Sequence, residues 1–287
     1  MSFGLDLSNE FQKLTNGVFY PEVDLFYKLQ DSFINIKHKY SKYSTAIDII
    51  HGSKGQVKFI YNGSYISTIL AGTEQQRELA DMLFVVFSSH INQIRLMYLQ
   101  NKKGKKPNSF KADLLQLYLL HDRCEITSSP LPDCTFNNRK ILHDAILPSV
   151  GSYGVFYQEN GIVDMSYYPA NLVFPRSPKG KSIIRYAKYD SQYFGNKITI
   201  NNFCESQGEK TLTDFGNSLV SMEIGTPITK ETASFQNIIA FLNKYSPTFS
   251  QSEMSERFET AFVNDNGQNI LGGVSTVYIL NADMLCQ

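Results

Sequence analysis

The chain has 287 residues and sets 27 Lys and Arg against 27 Asp and Glu, for a formal charge of zero. That length suits one large domain or two small ones, and 42% hydrophobic residues exclude a disordered chain. A neutral chain also excludes bulk attraction to polyanions, so any nucleic-acid contact has to come from a local basic patch. No apolar run of about 18 residues predicts a membrane span. The start "MSFGLDLSNEF" does not have the pattern of a signal peptide. Cys124, Cys134, Cys204 and Cys286 are widely spaced and form no C-x-x-C pair, so no zinc site is expected and the expected compartment is the reducing cytoplasm.

In chain order, residues 21–40 repeat apolar side chains at Val23, Phe26, Leu29, Phe33 and Ile36, which predicts a helix opening at Pro21. "GQVKFIYNGSYISTIL" predicts a hairpin about Asn62-Gly63. "RELADMLFVVF" (77–87) reads as a polar lead into a buried strand, and "IRLMYLQNKK" as a second strand ended at Gly104 and Pro107. "SFKADLLQLYLLHDR" predicts a helix capped by Ser109, and "CEIT" a short strand after it. Further on, "GSYGVFYQENGIVDMSYYPANLVF" predicts two strands about Asn160-Gly161. "SIIRYAKYD", "KITINNF" and "GGVSTVYILNA" read as strands, "FGNSLVSMEI" and "SFQNIIAFLNKY" as helices, and "PRSPKGKS" (175–182) as an exposed loop. The pattern predicts an α/β fold with a mixed central sheet flanked by helices.

Period-two geometry over residues 94–102 puts Ile94, Leu96, Tyr98, Gln100 and Lys102 on one strand face. If this strand pairs antiparallel with the one before it, Asp81 lies beside Gln100 and Lys102. An acid, an amide oxygen and an ammonium then converge at one sheet edge. That set suits metal-assisted phosphodiester hydrolysis. Mg²⁺ (or Mn²⁺) takes oxygen ligands and keeps several waters, so Asp81, Gln100 and the carbonyl of Asn101 are the expected ligands. Lys102 is expected to orient the nucleophile or offset charge on the phosphate.

Asp81 followed by "QNK" at 100–102 resembles the PD-(D/E)xK, or restriction-endonuclease-like, nuclease superfamily, in a Gln variant known among modification-dependent restriction nucleases. The helix "LLQLYLLHDR" resembles the Gln-Leu-rich helix of exonuclease-type members, which implies that Gln116 supports the site. Leu120 stands where that pattern has a tyrosine, and Ala80 where the motif has a proline. The resemblance spans roughly residues 21–127. It implies a further acid, Glu22 or Glu78, with Glu78 favoured for its closeness to Asp81. On this reading residues 1–130 form a restriction-endonuclease-like nuclease core. Residues 131–287 form a mixed α+β extension for recognition, dimerisation or coupling to a partner. The implied partner is DNA, with RNA as the other substrate, and the implied setting is restriction or anti-phage defence.

The run "KKGKK" (102–106) reads either as a solvated turn or as phosphate contacts, with Lys103, Lys105 and Lys106 as the candidate nucleic-acid ligands. "SYY" (166–168) could stack bases, although packing in the core is the more ordinary fate. "HGSKG" (51–55) lacks the spacing of a phosphate loop, but His51 and Lys54 could face DNA. The alternative to catalysis is a binding or adaptor protein on a nuclease-like scaffold, without metal dependence.

Overall fold

The near-continuous apolar runs at 82–87 and 94–99 leave no polar face for solvent, so both faces of these strands need cover. The computed structural model describes residues 2–40, 47–51, 56–63, 70–128, 140–175, 184–188, 193–232, 235–246 and 274–285. Helices α1 (Phe3–Thr15) and α2 (Glu22–Tyr40) come first, followed by strands β1 (Ile47–His51), β2 (Val57–Tyr61), β3 (Thr73–Arg77), β4 (Ala80–Ser88), β5 (Gln93–Lys106) and β6 (Ser109–Asp113). Helix α3 (Leu114–His121) leads to β7 (Ile126–Ser128), β8 (Gly151–Glu159), β9 (Ile162–Pro169), β10 (Phe174–Pro175), β11 (Ile184–Lys188), β12 (Lys197–Ile200) and β13 (Phe203–Ser206). Helix α4 (Leu212–Val220), β14 (Thr226–Pro227), helix α5 (Phe235–Tyr245), β15 (Val274–Asn281) and a helical turn, Ala282–Leu285, complete the chain.

The fold is α/β. Among the described residues a mixed sheet of ten strands carries the order β1-β15-β4-β5-β6-β11-β10, and β5 also takes β14 and the β8-β9 hairpin. β4 and β5 pair antiparallel, as the sequence predicts, while β15 runs parallel to β4 and β8 parallel to β5. Leu83, Val85, Phe87, Ile94, Leu96 and Tyr98 pack in one core with α3 and α5. Met82, Phe84, Val86, Met97 and Leu99 pack in the other, with α1, α2 and α4. The two apolar runs therefore divide their successive side chains between two helical layers.

Several elements depart from expectation. β2 pairs with Thr73–Arg77, not with the run directly after Asn62-Gly63, and residues 64–69 of that run lie outside the described residues. β5 continues through Gly104 to Lys106, so the turn falls at Pro107-Asn108. Ser109 begins a strand instead of capping a helix. The cap is Asp113, whose Oδ1 accepts from the N–H groups of Leu115 (2.9 Å) and Gln116 (3.1 Å). The sheet runs across residue 130, the boundary expected from sequence, because β8 and β15 flank β5 and β4. The Asn160-Gly161 turn forms as predicted, with both residues at positive φ. The loop at 176–183 lies outside the described residues.

Helices α1 and α4 approach closely because each carries a glycine at the crossing. A methyl group on Gly216 would lie 2.7 Å from Gly4 Cα. Gly216→Ala is expected to destabilise the fold by about 1–3 kcal/mol through overpacking, read as a lower urea midpoint at an unchanged slope.

Candidate active site

β4 stops at Ala80, but β5 runs on. On its other edge β5 is occupied by β8, with Gln100 opposite Tyr153 and Lys102 opposite Val155. The β5 amides beyond the end of β4 therefore need other acceptors. Two carboxylates take them. Asp81 Oδ2 accepts from Asn101 N–H at 2.7 Å, and Glu22 Oε2, from the start of α2, accepts from Lys103 N–H at 2.8 Å. The acids are held there because they finish a ladder that the short strand leaves open.

The register that pairs Met82 with Leu99 continues to Asp81 and Gln100, so these side chains share a face. Gln100 Nε2 donates to Asp81 Oδ2 at 2.7 Å and lies 3.3 Å from the Asn101 carbonyl oxygen. Gln100 Oε1 accepts from Gln116 Nε2 on α3, and the same nitrogen also lies 3.3 Å from the Glu78 carbonyl oxygen. Asp113, the cap of α3, is held in turn by Arg77 Nε at 3.0 Å. Lys102 Nζ lies 3.4 Å from Glu22 Oε1, with its side chain only 16% exposed.

Asp81, Gln100 and Gln116 are thus joined by hydrogen bonds, and Lys102, whose charge is felt at Asp81, reaches Glu22. The two candidate further acids are distinct. Glu22 touches Lys102 directly, whereas Glu78, favoured on sequence closeness, contributes its carbonyl to Gln116 and accepts at its carboxylate from Ser275 Oγ at 3.3 Å. Gln100 differs from expectation in polarity, since it turns its amide nitrogen to Asp81 and its oxygen to Gln116. The Asn101 side chain is buried with Oδ1 and Nδ2 unpartnered, and it lies against Gly154 of β8.

Burial pushes the Asp81 carboxyl up to about 6. The Lys102 charge and the Asn101 N–H oppose that rise, and the charges of Glu78 and Glu22 add to it. The site therefore concentrates negative charge around one desolvated acid, the usual condition of a group that awaits a cation or a proton. The oxygen donors are hard and few, which fits an ion that retains water. Against this, no group of three or more His, Cys, Asp or Glu side chains gathers to hold a metal among the described residues.

The basic run is divided. Lys103 Nζ donates to the carbonyls of Phe19 (3.0 Å) and Tyr20 (2.6 Å) and sits 3.9 Å from the Phe19 ring centre, so it fastens the α1–α2 connection instead of facing a ligand. Lys105 and Lys106 are exposed. Ser166, Tyr167 and Tyr168 are fully buried, so the "SYY" cluster is core and not a stacking surface. Residues 52–55, with Lys54, lie outside the described residues, as do Cys134 and Cys286, while Cys124 and Cys204 are free thiols. Sequence reasoning missed Asp113, which was legible as an Asp directly before "LLQ", a capping signature.

Comparison with protein-family models, with curated proteins and with solved structures finds no match. No helix among the described residues is long and apolar enough to cross a membrane.

An unfolded Asp titrates near 3.8 and the folded Asp81 at about 6, so the folded chain holds this proton more tightly. Stability conferred by the neutral acid is full below about pH 4 and is lost as pH rises through about 6. Asp81→Asn, which keeps an acceptor oxygen but removes the charge, is expected to raise stability at pH 7 by about 1–3 kcal/mol and leave it nearly unchanged at pH 4. Urea unfolding of both proteins at the two pH values measures this, and an equal effect at both would contradict it.

Proposed function

We propose that this protein is a metal-dependent nuclease that hydrolyses phosphodiester bonds of DNA, built on a restriction-endonuclease-like core. The observation that carries this reading is the meeting of Asp81, Gln100, Lys102 and Glu22 at the sheet end where β4 stops. Asp81, the Asn101 carbonyl and the Gln100 oxygen would hold Mg²⁺ or Mn²⁺, with Glu22 close by, once the Gln100 amide turns over. When bound, the ion would polarise the scissile phosphate and lower the pKa of a water molecule. Lys102 offsets charge that builds on the phosphate, and its contact with Glu22 keeps the ammonium aimed at the site. Gln116 holds Gln100 through its amide, and Asp113 fixes the helix turn that carries Gln116. Restriction or anti-phage defence is the setting that the motif resemblance supports.

A second reading has an observation of its own. Gln100, Gln116, Asp81 and the Glu78 carbonyl form a hydrogen-bonded chain in which the expected ligand oxygen of Gln100 is already occupied. A binding or adaptor protein on a nuclease-like scaffold would keep that chain closed. Metal dependence separates the two.

Asp81→Ala and Lys102→Ala should each slow plasmid cleavage roughly 10²-fold or more while far-UV circular dichroism stays unchanged, as expected for loss of one transition-state contact. EDTA should abolish cleavage. Wild-type rates in purified Asp81→Ala would remove the assignment. Proton and metal compete for Asp81, so Mn²⁺ affinity should weaken as pH falls through about 6. Calorimetric titration at pH 5 and pH 7.5 reads that difference, and equal affinities would place the ion elsewhere.

A further inference from the structure

Beyond Lys103, β5 and its neighbours line a second concave feature. A groove of about 550 Å³ is bounded by Lys105, Lys106 and Asn108 at the β5–β6 turn, by Tyr157 at the end of β8, and by Phe194 and Lys210 from the segments before β12 and α4. Three ammonium groups thus face one depression, opposed by Glu159 alone among its lining acids. Among the described residues Lys105 and Lys106 make no ion pair, and both are exposed. Lys210 sits 3.9 Å from Glu159, with both side chains more than half exposed, a pairing that a phosphate could replace at little cost. Lys210 is also fixed at its backbone, where its carbonyl accepts from the Tyr157 hydroxyl at 3.0 Å. The half-buried Phe194 adds an aromatic wall.

We propose that this groove binds a single strand of nucleic acid, with phosphates on Lys105, Lys106 and Lys210 and a base against Phe194. A positive groove with an aromatic wall is the recurring chemistry of single-strand binding, in which lysines follow the backbone and a ring accepts any base face. A volume in the range of small-molecule sites is enough for nucleotide units. The choice of ligand rests on the nuclease reading, because Lys105 lies only three residues beyond Lys102, about 10 Å along an extended strand. The strand held in the groove would be the one that continues from the cut.

The test is fluorescence anisotropy with labelled oligothymidylate and oligouridylate in EDTA, across a salt series, for the intact protein and for a variant carrying Lys105→Gln, Lys106→Gln and Lys210→Gln. These side chains are exposed, so the variant should fold. The intact protein is expected to bind both oligonucleotides. The variant should bind at least tenfold more weakly, with a salt slope smaller by about 2, the value for three phosphate contacts on a single strand. A variant that binds within twofold of the intact protein at the same slope overturns the proposal. So does inorganic pyrophosphate that competes as well as the oligonucleotide at equal phosphate, since the groove would then be a free-phosphate site. Plasmid cleavage with Mg²⁺ by the intact protein, run alongside, reads the nuclease assignment separately. A lost slope without any cleavage keeps the groove and removes the nuclease, and cleavage with an unchanged slope does the reverse.

Discussion

The early end of β4 is the constraint on which the rest of this site depends. β5 is fourteen residues long and β4 nine, and they pair only as far as Met82 and Leu99. Beyond that point the amides of Asn101 and Lys103 have β8 on one side and no ladder partner on the other. A buried N–H without an acceptor costs about 1–3 kcal/mol, so something must take each one. Asp81 and Glu22 do so from different elements, one at the lip of β4 and one at the first turn of α2. Two acids are thereby drawn to one place by backbone hydrogen bonding alone, before any ligand is considered. Lys102 lies between those two amides in sequence, and its ammonium reaches Glu22.

Holding Asp81 there is expensive. A carboxyl moved from 3.8 to about 6 gives up roughly 3 kcal/mol when it ionises. The two large cores on either side of the sheet can absorb that loss, because β4 and β5 bury apolar side chains on both faces. The C-terminal strand matters here. β15 lies parallel to β4 and closes its free edge, and Ser275 on it meets Glu78. The residues around the site are thus supplied by the first helices, by the central hairpin and by the last strand, so the site cannot be assigned to the N-terminal half by itself.

Much of this was legible in the sequence, for physical reasons that differ from element to element. The β4–β5 pair was legible because two apolar runs joined by a short polar connection leave an antiparallel hairpin as the simple solution, and that register alone puts Asp81 beside Gln100. Helix α2 and the β8–β9 hairpin were legible from helical spacing and from Asn160-Gly161. Other features needed tertiary information. Ser109 looks like a cap, yet β11 pairs with Ser109–Asp113 and draws those residues into the sheet, so the helix starts four residues later than a Ser109 cap would set it. Glu22 lies eighty residues from Lys102, and sequence closeness favoured Glu78 instead. The "SYY" tyrosines read as exposed only if the strand has an open face, and here both faces are covered.

The polarity of the Gln100 amide links these parts. Gln116 can donate only through its amide nitrogen, and that nitrogen now reaches both Gln100 Oε1 and the Glu78 carbonyl. Suppose a cation displaced the Gln100 nitrogen from Asp81 and drew the oxygen toward itself. The Gln100 nitrogen would then face Gln116 and need an acceptor there. Gln116 can supply one by turning its own amide, at the expense of its bond to the Glu78 carbonyl. The two glutamines therefore have a pair of matched arrangements, and a mixed pair would set two amide nitrogens or two amide oxygens against each other. A change at Asp81 would be transmitted in this way to α3 and to the backbone before β4, which is a reason for a second glutamine to sit behind the first, on a helix pinned by Asp113.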